Sequence, residues 1–309
     1  MTSLITNSSA MNALQSLRSV NSGLSQVQDR ISSGLKVASG KDSAAYFQIS
    51  ETMKGDSGAY DAINEGLTLT KNSIATARLG SETIQDLAQD FLDKIAFAQG
   101  AKGGETEIEN DLKELVKQMK TTLKQSTFNG DDMLGAGATV TAAVITPATG
   151  AVGTAAAGGT AATSRNVVTG ITRTGAGGYN TTTIAVSTHD MGTLVGTLEG
   201  ISANFATGAS TAATSETYLG AVLKLAETTL DSIGGIATKL GQSEKSVENQ
   251  QEFLNKLVSN IDSGVGSMID ADMEEEAARL TALQTQQQLA TQALSIANQG
   301  PQNVLSLFR

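Results

Sequence analysis

The chain carries one histidine, His189, and no cysteine. A single imidazole in a Thr-rich stretch gives neither a thiol nucleophile with its base nor a zinc set, and no H-E-x-x-H occurs. His189 therefore reads as a surface histidine. The densest group of carboxylates is Asp270, Asp272, Glu274, Glu275 and Glu276. Such a set could hold a hard cation. At the start of an apolar helical pattern it reads instead as a capped, solvated helix N-terminus, where negative charge meets the positive end of the dipole. Gly175-Ala176-Gly177-Gly178 is a flexible turn, because no G-x-x-x-x-G-K-[ST] is present to cradle a phosphate. No catalytic residue, metal ligand or cofactor site is assigned, and an enzyme is the weakest reading.

The informative residues are the uncharged ones. From Leu280 to Phe308 there is no ionisable side chain, and from Met1 to Gln28 the only one is Arg18. Chain ends usually fray into solvent, and a helix with one wet face shows that face as Lys and Glu. Apolar, charge-free ends at helical spacing predict surfaces that become buried, against other copies of the chain.

The 309 residues carry a net charge of −10, which opposes a nucleic-acid partner. The pI is about 4.7. Trp is absent and Tyr and Phe number only eleven between them, so Ala, Leu, Ile and Val must do the packing. Two prolines, Pro147 and Pro301, leave room for long unbroken helices. No apolar run is long enough to span a membrane, and no basic, apolar leader is visible. Ordinary routes would keep such a chain in the cytosol; a non-standard export route reading a polar N-terminus remains open.

A 3-4 spacing begins at Leu17 and runs through Val20, Leu24, Val27 and Ile31, with Leu14 and Leu35 widening the stripe, and Gly34 and Gly40 break it. Asp42 then stands as N-cap of a helix over about 43–99, roughly 85 Å at ~1.5 Å per residue, a length that suits a rod. Gly100, Gly103 and Gly104 turn the chain into a second helix over 105–127, forming a hairpin with the first. Asn129-Gly130 marks a tight turn.

Composition changes over about 134–213 to Gly, Ala and Thr with little charge. Three β-like runs, 139–145, 166–172 and 181–187, predict a small β-containing insert, or a hairpin plus ordered loops. Periodicity returns near Ser215 and holds to Met268, matching the 43–99 helix in length and pairing with it antiparallel. Glu244 and Gln251 occupy stripe positions and predict a wetter layer or a register device. A last helix carries Leu280, Leu283 and Leu294, with Leu289 on another face, and Gly300-Pro301 is expected to end it. The fold class is mainly α: a long antiparallel helical bundle with a small β insert, and both termini at one end.

Particular segments identify a family. Asp29-Arg30-Ile31-Ser32-Ser33-Gly34-Leu35-Lys36-Val37, followed by Lys41-Asp42-Ser43-Ala44-Ala45, resembles the R-[LIV]-S-[ST]-G-x-[RK]-[IV]…[KS]-D-x-A-A segment of bacterial flagellins. Thr127-Phe128-Asn129-Gly130 resembles their T-x-F-N-G turn. The run from Asn298 through Pro301 to Arg309 is similar to their A-N-Q-x-P-Q-N-V-L-S-L-[LF]-R terminus. The likeness covers about 1–133 and 215–309, and Asp42–Tyr46 looks most like alphaproteobacterial members.

The resemblance implies a structural subunit of the extracellular flagellar filament, exported unfolded by the flagellar type III apparatus. It implies an inner D0 layer from 1–42 and 271–309, and D1 helices from 43–133 and 215–270. The variable insert, 134–214, would face solvent. The expected self-assembly residues are Leu14, Leu17, Leu24, Val27, Ile31, Leu280, Leu283, Leu289, Leu294, Val304, Leu305 and Leu307. The implied partners are other flagellin copies, the filament cap and hook-junction proteins, and an export chaperone on the C-terminal helix, with no nucleic acid and no membrane insertion.

Asp90–Ile95 lacks the arginine of the face sensed by an innate immune receptor in many flagellins. Gly40, Tyr46 and Phe47 depart from the plant-sensed pattern, so neither recognition is expected. The sequons at Asn7 and Asn180 are weak in a bacterial chain; O-linked sugars on insert Thr or Ser fit better. A hook–filament junction protein is the alternative, and the ending Leu305-Ser306-Leu307-Phe308-Arg309 favours flagellin over it. A membrane-active translocator would need basic helix faces, which Arg18 alone does not supply.

Overall fold

The computed structural model describes residues 7–100, 103–135, 142–154, 164–173, 178–211 and 214–307. Helices α1 (Ser8–Ser33), α2 (Ala44–Gly100) and α3 (Glu105–Gln125) come first. Strands β1 (Val144–Ile145), β2 (Val152–Thr154), β3 (Ser164–Arg173) and β4 (Tyr179–Ser187) follow. Helices α4 (Met191–Ala203), α5 (Phe205–Ser210), α6 (Ser215–Ile269) and α7 (Met273–Leu307) complete the chain. It is a mainly α fold with two small antiparallel sheets. Two compact units emerge, one from Met1–Gly58 with Leu257–Arg309, the other from Ala59–Lys256.

In the first unit α1 and α7 run antiparallel. Gln287 donates to Asn21 at 2.8 Å, Arg30 pairs with Glu276 at 3.1 Å, and Leu283 lies 3.6 Å from where a Cβ on Gly23 would stand. Asn7 caps α1, its Oδ1 accepting from the Ala10 N–H at 3.0 Å. Gly34 ends α1 at φ 71°, the left-handed conformation that glycine adopts freely, and its N–H reaches the Arg30 carbonyl at 2.8 Å. The next residues latch onto the end of α6. The N–H groups of Lys36 and Val37 both donate to the Ile269 carbonyl, and Ala271 donates back to Gly34. Val37, Val265 and Ile269 form a buried cluster beneath them, with Phe47 and Met53 packed against it.

Two expectations are corrected in this unit. Asp42 does not cap α2. Its carboxylate turns back to accept from the backbone of Ala38 and Ser39 and from the Ser39 hydroxyl, and these hydrogen bonds hold its carboxyl below the usual range. Ser43 stands at the helix start instead, its Oγ accepting from the Tyr46 N–H at 3.5 Å. Nor does Gly300-Pro301 end α7, which continues to Leu307. A proline lacks the N–H that would bond the carbonyl four residues earlier, here Ala297. That carbonyl accepts instead from the Asn7 side-chain amide at 2.8 Å.

In the second unit α2 and α6 are antiparallel. Asn64 meets Asn255, Lys71 meets Glu248 and Arg78 meets Glu244, in falling order along α6. Helix α3 returns along α2, with Lys94 on Asp111 at 2.7 Å and Gly80 against Ser126. Their shared stripe is buried: Ile74, Ile84 and Phe91 of α2, Leu112 and Met119 of α3, Ile233 and Leu240 of α6. Glu244 and Gln251 form the polar layer expected of them. Glu244 accepts from Arg78 at 2.8 Å, and Gln251 donates to Thr68 at 2.9 Å. Asn129 and Gly130 take φ 51° and 79°, the pair of left-handed residues of a type I′ turn, closed by Phe128 and Asp131.

The insert is more helical than its composition suggests. Strands β3 and β4 form the expected hairpin, with a bulge between Val168 and Gly170. Residues 139–141 of the first β-like run and 175–177 of the glycine turn lie outside the described residues. The span after β4, read as part of a β insert, folds as α4 and α5. Met191, Val195, Leu198, Ile201 and Phe205 are buried, and Glu199 and Glu109 tie α4 and α5 to α3. Asp190 caps α4 through the Thr193 N–H and hydroxyl.

Candidate self-assembly surface

Helices α1 and α7 carry the candidate site. Their mutual contact buries one seam. Val27 is 3% exposed; Leu17, Leu24, Ile31, Leu280, Leu283 and Leu294 are half-buried. Leu14 and Leu289 turn outward, Leu289 at 59% exposure. Met11, Met273 and Ile296 join them in solvent, Ile296 at 70%. These last three are absent from the expected interface set. For Met11 and Ile296 the signal was present in the sequence, as apolar residues off the 3-4 stripe; Met273 begins the stripe of the last helix, beside Glu274, Glu275 and Glu276. Val304, Leu305 and Leu307 lie outside the residues whose side chains are described.

The energetics favour further burial. Covering what remains exposed of Leu289 and Ile296 would contribute about 2–4 kcal/mol together. The polar groups between them cost little to cover, because they are amides and hydroxyls rather than ions. The Gln287 amide already donates to the Asn21 side-chain oxygen.

The charged exception lies at the base of the pair. Glu276 is 6% exposed and accepts from Arg30 through one oxygen, while its Oε2 has no partner among the described residues. The acid cluster around it divides its work. Asp272 caps α7, accepting from the N–H groups of Glu274 and Glu275, and Glu276 turns inward. Among the described residues no group of three His, Asp or Glu could hold a metal ion, and no helix is long and apolar enough to cross a membrane. His189 is half-buried rather than a surface residue. Its backbone N–H donates to the Met133 carbonyl, and burial, with Lys239 nearby, pushes its imidazole pKa down.

Comparison with known proteins bears on this surface. Residues 4–139 match the model of the bacterial flagellin N-terminal helical region, and residues 223–308 match that of the C-terminal helical region. The chain is 35% identical over 311 residues to a flagellin of Brucella melitensis, all of both chains being covered. It is 33% identical over 325 residues to flagellin C of Rhizobium meliloti, again over the full length of both. Against a flagellin of Caulobacter vibrioides it is 30% identical over 312 residues, covering all of this chain and 99% of the other.

Proposed function

The chain belongs to the bacterial flagellin family, and from that premise we propose that it polymerises through α1 and α7 into the flagellar filament. It is a structural protein of the extracellular filament and not an enzyme. The observation that carries the assembly reading is the unpartnered apolar surface of α1 and α7, with Leu289 and Ile296 more than half exposed.

In this reading α1 and α7 form the inner layer, D0. Segments 43–133 and 215–270 form the surrounding shell, D1, and the insert at 134–214 lies outermost. The interface is formed by Leu14, Leu17, Leu24, Val27, Ile31, Leu280, Leu283, Leu289, Leu294, Val304, Leu305 and Leu307. The chain leaves the cell unfolded through the flagellar type III apparatus, with a chaperone on the α7 segment, and adds beneath a cap to a filament joined to the hook by junction proteins. Arg18 and Arg279 are the only cations on α1 and α7 besides Arg30, so the segments thread a channel with little charge. The family match gives the hook–filament junction reading no support.

Purified monomer seeded with filament fragments tests the proposal. Elongation at the seed ends is expected, with a rise in helix content by circular dichroism as α1 and α7 become covered. Failure to elongate at any ionic strength would overturn it. The rise in helix content tests a further expectation, that the ends are disordered in the monomer and fold on self-association; equal content in monomer and polymer would overturn that.

A further inference from the structure

Two grooves flank α3 in the second unit, and their chemistry is opposite. The first, about 610 Å³, lies between α2 and α3 and is lined by Asp90, Asp93, Asp111 and Glu114 against the single cation Lys94. Phe97 stands on its rim, 68% exposed on a helix whose Phe91 and Ile95 are fully buried. The second, about 370 Å³, lies between α3 and α4. Val116 and Ala203 give it an apolar lining, and Lys113, Lys117 and Lys120 face the single acid Glu199.

On α3 the lining residues Asp111, Leu115 and Gln118 lie about half a turn around the helix from Lys113, Val116 and Lys120. The acidic groove and the basic groove therefore open on opposite flanks. Within one unit the two linings touch at one edge, where Lys117 pairs with Glu114 at 3.3 Å; the rest of each groove faces away from the other and can meet its complement only on a second copy. A cavity of about 150 Å³ accepts benzene, so the second groove has room for a phenyl ring.

We propose that Phe97 of one copy seats in the lysine-rimmed groove of a second copy, with Asp90 and Asp93 against Lys113 and Lys117. The proposal rests on the filament reading and names one of its contacts. Such a contact is heterologous, knob on one flank and hole on the other, so repetition extends it rather than closing a pair. The lysines already have partners, Lys113 with Glu109 and Lys117 with Glu114. The Lys117–Glu114 pair is exposed, so its exchange for an intermolecular carboxylate is close to neutral; Glu109 is largely covered, so Lys113 would take a second carboxylate while keeping its first. The ring supplies the anchor, and the charges set its direction.

The absence of native cysteine makes the contact directly testable. Wild type is first shown to elongate on seeds; failure there would overturn the filament reading and this contact with it. Filaments of Asp93→Cys/Lys117→Cys are then oxidised. A ladder of covalent dimers, trimers and higher species is expected on a non-reducing gel. A mixture of the two single variants should stop at dimers, and each single variant alone should stay monomeric. Elongating filaments of the double variant that yield only monomer would overturn the contact alone, as would dimers from one single variant. Phe97→Ala gives a reading independent of cysteine. With unchanged circular dichroism, the critical concentration for elongation should rise roughly tenfold or more, and an unchanged critical concentration would refute the anchor.

Discussion

Gly80 lies in the middle of α2, where alanine would ordinarily stabilise the helix by about 1 kcal/mol. The structure predicts the reverse. A Cβ built on Gly80 would overlap the Ser126 hydroxyl and stand 2.5 Å from the Ser126 Cβ. Rotating the hydroxyl relieves the first contact but breaks its 2.6 Å hydrogen bond to the Thr122 carbonyl, a loss of about 1 kcal/mol. No rotation relieves the second, because that Cβ is fixed to the backbone just past the end of α3. The helices must separate by roughly an ångström, an overpacking cost of about 1–3 kcal/mol. The net effect of Gly80→Ala is thus a destabilisation of about 2 kcal/mol, or about 4–8 °C in Tm for a unit of this size. Urea denaturation of the monomer measures it, with the midpoint falling and the slope unchanged. Gly80→Ala/Ser126→Gly removes the opposing Cβ and should recover most of the loss. A Gly80→Ala chain as stable as wild type would refute the close approach of α2 and α3.

Gly200→Ala should be more damaging, by about 3 kcal/mol, because its Cβ would meet the Ala143 backbone, with the carbonyl carbon at 2.8 Å, where no side chain can yield; thermal unfolding reads this, and suppression by a side-chain change at 143 would contradict it. Tyr218 is fully buried, and that burial, with Glu109 nearby, pushes its hydroxyl from near 10 up to about 12. A raised folded pKa favours the neutral form, so this contribution is complete below pH 10 and is lost as pH rises through 12, on the order of 3 kcal/mol. Tyr218→Phe should flatten the stability profile over that window, and an unchanged slope would argue against it. Leu24→Asp and Leu294→Asp should each abolish seeded elongation while the second unit retains its unfolding transition; filaments from either would refute the assignment of α1 and α7.

The long helices were legible in the sequence because each has a wet face. In α3 the buried stripe Ile108, Leu112, Met119 and Leu123 alternates with Lys and Glu, so the 3-4 period stands out. Glu244 and Gln251 were legible for the converse reason: polar residues at apolar positions imply partners, and Arg78 and Thr68 supply them. Helix α4 was not legible. Nearly all its surface is covered, so it shows no polar face to set a period, and Gly192, Gly196 and Gly200 make its composition look like loop. The signal was there in the cap Asp190 followed by Met191, Val195, Leu198 and Ile201 at 3-4 spacing. The cap of α2 was misread because Asp42 and Ser43 are adjacent and both suit the role; the outcome turned on the backbone of Ala38 and Ser39, which engages Asp42 first. The outward set on α1 and α7 was only half legible, since period alone does not say which of two apolar faces an intramolecular seam will take.

The bond from the Asn7 amide to the Ala297 carbonyl makes the two extremities of the polypeptide answer to each other. Proline leaves that carbonyl needing a donor, and the donor comes from 290 positions away. A chain clipped at its beginning would therefore lose the support for its final helical turns, although those residues are untouched. The integrity of the last helix is thus written partly at the other end of the polypeptide, in the side chain that also caps the first.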